Sequence, residues 1–162
     1  MRRLRVYLDT SVINFLFADD VPDMQEATED LFEWYIATKR YETFISPVVI
    51  DEINRTTDRT KRDKLLSAVE KYGLSYLPLE PRAELVDLAE AYVRRRVIPR
   101  KKFNDALHIA TCTLHTVDVL VSWNFRHLAN VSKERRVAAV NQMLGYTHPL
   151  RITTPLEVMG DD

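Results

Sequence analysis

The sequence predicts an α/β fold with a parallel sheet, and three observations lead there. Short β-branched or apolar runs alternate with helical stretches from end to end. The run 117–122 is apolar without polar alternation, the pattern of a strand covered on both faces. Gly is scarce, at 3, so no stretch reads as a long flexible linker.

The elements follow in order. Residues 5–8 form a first strand ending at Asp9. Thr10 and Ser11 are placed to cap a short helix over 12–17. Residues 24–39 space Ala27, Leu31, Trp34 and Tyr35 as a helix does. A second strand covers 43–46. Ser46-Pro47 then opens a helix, Ser as cap and Pro at its first position, with Val49, Ile50 and Ile53 on one side. Residues 61–72 form a helix closed by Gly73, and 74–79 a third strand. Residues 81–96 repeat Leu85, Leu88, Ala89, Tyr92 and Val93 at helical spacing, and Pro99 breaks that run. A helix opening at Phe103 or Asn104 buries Ala106, Leu107, Ile109, Ala110 and Thr113. After the strand at 117–122 come a helix over 134–144, ended by Gly145, and a last strand at Ile152 and Thr153 before Thr154-Pro155.

The 162 residues fit one domain, 1–162. Hydrophobic residues at 46% and charged residues at 29% supply an ordinary core. With 23 Lys+Arg against 24 Asp+Glu, the net charge of −1 excludes a basic coat over the whole surface, though not a local basic groove. The lone cysteine, Cys112, lies in an apolar helical stretch and reads as a buried thiol in a reducing compartment. No membrane span and no signal peptide are expected, so the expected location is cytoplasmic.

The chemistry lies in YLDTS at 7–11, VVIDEI at 48–53, FNDALHIA at 103–110 and VSWNFRHL at 121–128. These carry Asp9, Glu52, Asp105 and Asn124. Singly, each has a plain explanation as a helix cap or a complement to a helix dipole. Jointly they say more. In a parallel sheet, ligands bind beyond the carboxyl ends of the strands. Asp9 and Asn124 each follow a strand, and Glu52 and Asp105 sit early in helices that begin near the same rim. Asp105 interrupts an apolar run, where an unpaired carboxylate is costly. Clustered acids repel unless a cation joins them, so the pattern suggests a divalent ion, Mg²⁺ or Mn²⁺. Asp51 lies about 100° of helix rotation from Glu52 and is expected to face solvent.

LDTSVI, VVIDEI, NDALHIA, VSWNFRHL and ITTPLEV together resemble a PIN-domain ribonuclease, of the kind that is the toxin in VapBC-type toxin–antitoxin pairs. The resemblance covers nearly the whole chain. It implies a three-layer α/β/α sandwich around a parallel sheet of about four to five strands, agreeing with the residue-level reading. By motif, it makes Asp9, Glu52 and Asp105 the metal ligands of a catalytic set that Asn124 completes, with Thr10 and Ser11 in support. Asn124 departs from the fourth acid of many members and leaves three formal charges. The implied activity is metal-dependent RNA hydrolysis leaving 5′-phosphate and 3′-hydroxyl ends. The implied partners are an RNA substrate, a small antitoxin and a second copy of the chain as a homodimer. Leu31, Phe32, Trp34 and Tyr35 are the apolar residues for such a face, with a core role as the plainer explanation.

Two basic clusters flank the acids in sequence. Arg94, Arg95, Arg96, Arg100, Lys101 and Lys102 lead into Asp105, and Arg55, Arg59, Lys61 and Arg62 follow Glu52. Of these, Arg96, Arg100, Lys101 and Lys102 are the candidates for contacting RNA phosphates. His108 and His127 read as hydrogen-bonded residues in or near the core, and Trp123 as packing. Two rival readings remain. A haloacid-dehalogenase-type phosphatase also places an Asp after its first strand, but needs a second Asp where Ser11 stands. A non-catalytic PIN-like module binding RNA or protein would tolerate Asn124.

Overall fold

A computed structural model describes residues 2–160. Five parallel strands form one sheet in the order β3-β2-β1-β4-β5: β1 Leu4–Leu8, β2 Tyr41–Ile45, β3 Ser75–Tyr76, β4 Val119–Val121 and β5 Arg151–Thr153. Between them run α1 Thr10–Asn14, α2 Pro22–Leu31, α3 Pro47–Asn54, α4 Arg59–Lys71, α5 Arg82–Arg94, α6 Phe103–Leu114 and α7 Val131–Met143, with α8 Pro155–Gly160 last. Tyr7 and Leu8 point to opposite faces of β1 and neither is exposed, so helices cover both sides of the sheet. The α/β/α architecture with a parallel sheet is thus observed.

Chain order explains where a cleft opens. From β1 the chain builds outward to β2 and β3, then returns to lay β4 against the other edge of β1. Val6 pairs with Val119, Tyr7 with Leu120 and Leu8 with Val121. The loops leaving β1 and β4 therefore part in opposite directions at adjacent carboxyl ends, the switch point where such sheets bind ligands.

Several elements differ from the expectation, each for a local reason. The cap of α1 is Asp9, whose side chain accepts from the Ser11 amide, rather than Thr10 or Ser11. The helix expected over 24–39 starts at Pro22 and passes into a π turn over Phe32–Ile36, where the Ala37 amide reaches the Phe32 carbonyl. Leu31 and Phe32 are fully buried, Tyr35 is half-buried, and Trp34 is 66% exposed, so only the last offers an open apolar face among those four. β3 has two residues where six were expected. Leu77 N–H still donates to Ile45, but Pro78 has no N–H and the pairing ends. α7 opens at Val131, capped by Asn130, earlier than 134. α8 was not anticipated. Pro155 opens it, and Thr154 caps it, its Oγ1 accepting from the Glu157 amide at 3.3 Å and its hydroxyl donating to the Glu157 carboxylate at 3.4 Å. Gly73 (φ +59°) and Gly145 (φ +91°) follow α4 and α7 in the left-handed conformation that glycine adopts freely.

Candidate functional site

A cleft of about 580 Å³ lies at the switch point. Asp9, Glu52, Asp105 and Asn124 all line it, with Thr10, Ser11 and His108. Four segments distant in sequence are thus brought to one place. A larger cavity of about 700 Å³, between Phe17, Glu33, Lys64 and Tyr72, contains none of the sequence motifs.

Asp9 is 5% exposed and sits where β1 ends, its amide donating to the Val121 carbonyl at 3.1 Å. Its Oδ1 accepts from Ser11 N–H at 3.1 Å and Ser11 O–H at 2.5 Å. Ser11 Oγ in turn accepts from Trp123 N–H at 2.9 Å and lies 3.4 Å from Ser122 Oγ. One serine thereby ties the ends of β1 and β4 together. Burial pushes the Asp9 carboxyl above its usual range, against the hydrogen bonds of Ser11 and Ser122 and the charge on His108.

Asp105 is half-buried in the first turn of α6. Burial pushes it upward as well, and the charges of Asp9 and Glu52 add to that, while His108 and Lys102 offset part. Glu52 behaves differently. Burial pushes it up, but hydrogen bonds from His108, Thr10 and Asn104 outweigh this and hold it below the usual carboxylate range. The contacts are His108 Nε2 at 2.7 Å and Thr10 O–H at 2.8 Å, both on Oε1. Asp51 faces solvent and pairs with Arg55 at 2.9 Å.

Asn124 Oδ1 accepts from the His127 amide at 3.2 Å. That bond uses one of the two lone pairs of the amide oxygen, so Asn124 brings the cleft both an acceptor and its N–H₂ donors. His127 itself is exposed and outside the core, contrary to the expectation. Trp123 packs as expected, stacked on Phe15 with its indole N–H donating to Thr28 at 2.8 Å.

The basic residues divide. Lys101 and Lys102 line the cleft, and Arg55 joins them from α3. Arg100 does not line it; its guanidinium forks onto Glu90 at 2.8 and 2.9 Å. Arg96 sits in the left-handed turn after α5, and it too is outside the lining. Asn14, Asn104 and Tyr7 were missed from sequence. For Tyr7 a signal existed, since a phenol in the buried strand VYL must find a partner for its hydroxyl.

Three carboxylates without a thiolate suit a hard cation that keeps several waters. Among the described residues, no group of three or more His, Cys, Asp or Glu side chains is drawn together tightly enough to hold an ion alone. The residues fit a hydrated ion held by one or two carboxylates, with water as its remaining ligands.

Comparison with known proteins agrees with this geometry. The sequence model of the PIN domain matches residues 6–134, most of the chain and all four motifs. The chain belongs to the PIN domain family. PIN domains are in general nucleases, and these typically use divalent metals. Among solved structures, VapBC2 from Rickettsia felis, bound to a DNA fragment from the promoter, superposes with a TM-score of 0.57 at 14% identity, over 92% of this chain and 97% of that one. FitAB bound to the IR36 DNA fragment gives 0.59 at 15% identity, over 93% and 94%. At such identities the likeness is one of fold. No curated protein matches the sequence.

Proposed function

We propose that this PIN domain, as one unit, is an endoribonuclease and the toxin of a type II toxin–antitoxin pair. The observation that carries this is the convergence of Asp9, Glu52 and Asp105 on one cleft at the switch point, within a family of nucleases. Asp9, Glu52 and Asp105 would hold Mg²⁺ or Mn²⁺, one or two of them directly and the rest through its waters, and the ion would supply the Lewis acidity that makes water a nucleophile and offsets charge on the scissile phosphate.

The chain's own groups do the rest. Ser11 fixes Asp9 through two hydrogen bonds to one oxygen. Thr10 and His108 fix Glu52. Lys101 and Lys102 supply positive charge along the lining for the phosphates of a single strand, and Arg55, paired through one nitrogen with Asp51, stands beside them. Asn124 donates its N–H₂ to a phosphate oxygen, a role that a fourth acid could not fill. Phosphate contacts position RNA without reading its sequence, so the lining accounts for binding and not for target choice. The antitoxin partner and the homodimer belong to this proposal, with exposed Trp34 as the apolar side chain open to a second chain.

The test is cleavage of an end-labelled mixed RNA pool with Mg²⁺, with Mn²⁺ and with EDTA, comparing wild type and Asp105→Asn. Cutting that needs metal and is lost in the variant is the expected result. A folded wild type that binds RNA and never cuts would favour the non-catalytic module.

A further inference from the structure

Buried polar groups must find partners inside the protein, and one buried series of them ends on an acid of the cleft. Val48 N–H donates to Ser46 Oγ at 3.2 Å. Ser46 Oγ lies 2.7 Å from Tyr7 Oη, and Tyr7 Oη lies 2.6 Å from His108 Nδ1. His108 Nε2 lies 2.7 Å from Glu52 Oε1. Tyr7, Ser46 and His108 are each 1% exposed or less.

With the His108 ring neutral, the carboxylate end fixes the direction of every bond back to Ser46; a protonated ring, which burial opposes but Glu52 favours, donates from both nitrogens and turns the Tyr7 hydroxyl toward Ser46. A backbone N–H only donates, and a carboxylate only accepts. A neutral His108 must therefore carry its proton on Nε2, facing Glu52, and present Nδ1 as an acceptor. Tyr7 then donates to Nδ1, and Ser46 donates to Tyr7. Each proton in the series has an acceptor. The other tautomer would set the lone pair of Nε2 against the carboxylate and leave the Tyr7 hydroxyl facing an N–H.

We propose that His108 is a positioning residue for Glu52, its Nε2–H held toward the carboxylate by Tyr7 and Ser46, which fix the Nε2–H tautomer whenever the ring is neutral. The proposal rests on the reading of Glu52 as a metal-holding acid of the cleft. Three elements are joined by it. Ser46 caps α3 and Glu52 lies on α3, so the helix is tied to β1 through Tyr7 at its start and to α6 through His108 further along. His108 and Thr10 both load Oε1, which sets the rotation of the carboxylate. Hydrogen-bonded groups that orient a metal's ligands typically matter about 10–100-fold in metal affinity or activity.

Three variants and three readouts test it. His108→Gln keeps an amide nitrogen near the Nε2 position. His108→Asn is too short to reach Glu52. Tyr7→Phe removes only the hydroxyl that sets the tautomer. In a long-range nitrogen–proton NMR correlation of the metal-free protein, at alkaline pH where the ring is neutral, wild-type His108 shows a single Nε2–H tautomer. Tyr7→Phe shows exchange between two. His108→Asn weakens Mn²⁺ binding by about 10–100-fold and lowers kcat on RNA with KM little changed, and His108→Gln recovers most of both. A wild-type ring protonated on Nδ1 or exchanging between tautomers overturns the proposal, as does a folded His108→Asn that binds Mn²⁺ like wild type. Expected NMR and Mn²⁺ results without any RNA cutting would sink the nuclease reading alone. RNA cutting with an exchanging ring would sink the positioning role alone.

Discussion

Asp9 follows β1 and Asp118 precedes β4, the neighbouring strand, yet their surroundings push the two carboxyls in opposite directions. Asp118 lies at the amino end of the sheet with its side chain 13% exposed. Arg2 donates to it at 2.9 and 3.2 Å, the Arg5 amide at 2.9 Å, and His148 lies at 2.9 Å. Burial raises it, but these partners outweigh burial and hold it below the usual carboxylate range. At the carboxyl end, Asp9 has hydroxyls and the Ser11 amide for partners, and Asp105 faces the charges of Asp9 and Glu52; burial leaves both raised. The amino-end acid is satisfied by the Arg2 guanidinium, the Arg5 amide and the His148 ring, and ties the chain's start to β4 and to the loop before β5. Asp9 and Asp105 are disfavoured as anions where they stand, whereas Glu52 is held ionised by its partners, and carboxyls perturbed in this way in a cleft point to a functional site.

The largest expected effect is on catalysis. Asp105→Asn should lose more than about 100-fold in RNA cleavage, exceeding the loss from removing a group that merely orients a ligand. Asp118→Asn, assayed where it is folded, should keep the wild-type rate. Equal losses in both would break the comparison.

Stability should run the other way. Asp118→Asn should cost about 1–3 kcal/mol, seen as a Tm lower by roughly 2–4 °C per kcal/mol for a chain of this size. Asp105→Asn in EDTA should leave Tm unchanged or raised, since it removes a charge that burial and like neighbours disfavour. A Tm loss equal to that of Asp118→Asn would show that Asp105 also has a structural role.

The pH dependence sharpens the same contrast. The folded value of Asp118 is lowered, so its contribution is present above the ordinary carboxyl range and is lost as pH falls through its folded value. The folded value of Asp105 is raised, so its stabilising contribution is present below the ordinary value and is lost as pH rises through the folded one. Thermal melts in EDTA should therefore show the advantage of Asp105→Asn over wild type shrinking on acidification from neutral pH. The deficit of Asp118→Asn should shrink too, at lower pH. An Asp105→Asn advantage that grows toward acid would contradict the raised carboxyl.

The smallest effect concerns RNA affinity, measured in the Asp105→Asn background at several salt concentrations. Lys102→Ala should weaken binding and flatten the salt slope by about 0.7 for a single strand. Arg100→Ala should change neither, because its guanidinium is committed to Glu90.

Much of the site was legible because each acid sits where sequence marks the end of a strand or the start of a helix. Asp9 after RVYL and Glu52 after Ser46-Pro47 are local signals. The split among the basic residues was not legible. Lys101, Lys102 and Arg100 are adjacent in sequence, and only the short 3₁₀ turn over Arg100–Lys102 decides which of them faces the cleft and which meets Glu90. The π turn at Phe32–Ile36 escaped for a similar reason, since its apolar spacing imitates a continuing α-helix.

The sequence by itself determined the strand–helix alternation, the parallel sheet, and the three acids with their rim. Those follow from hydrophobic periodicity, turn residues and caps, which act over a few residues. Only the tertiary structure decided that Asp118 gains Arg2 and His148, that Asn124 turns its oxygen to a backbone amide, and that Tyr7, Ser46 and His108 close on Glu52. Tyr7 and His108 are 101 residues apart, and a partner at that separation is chosen by sheet register and helix packing, which no local pattern encodes.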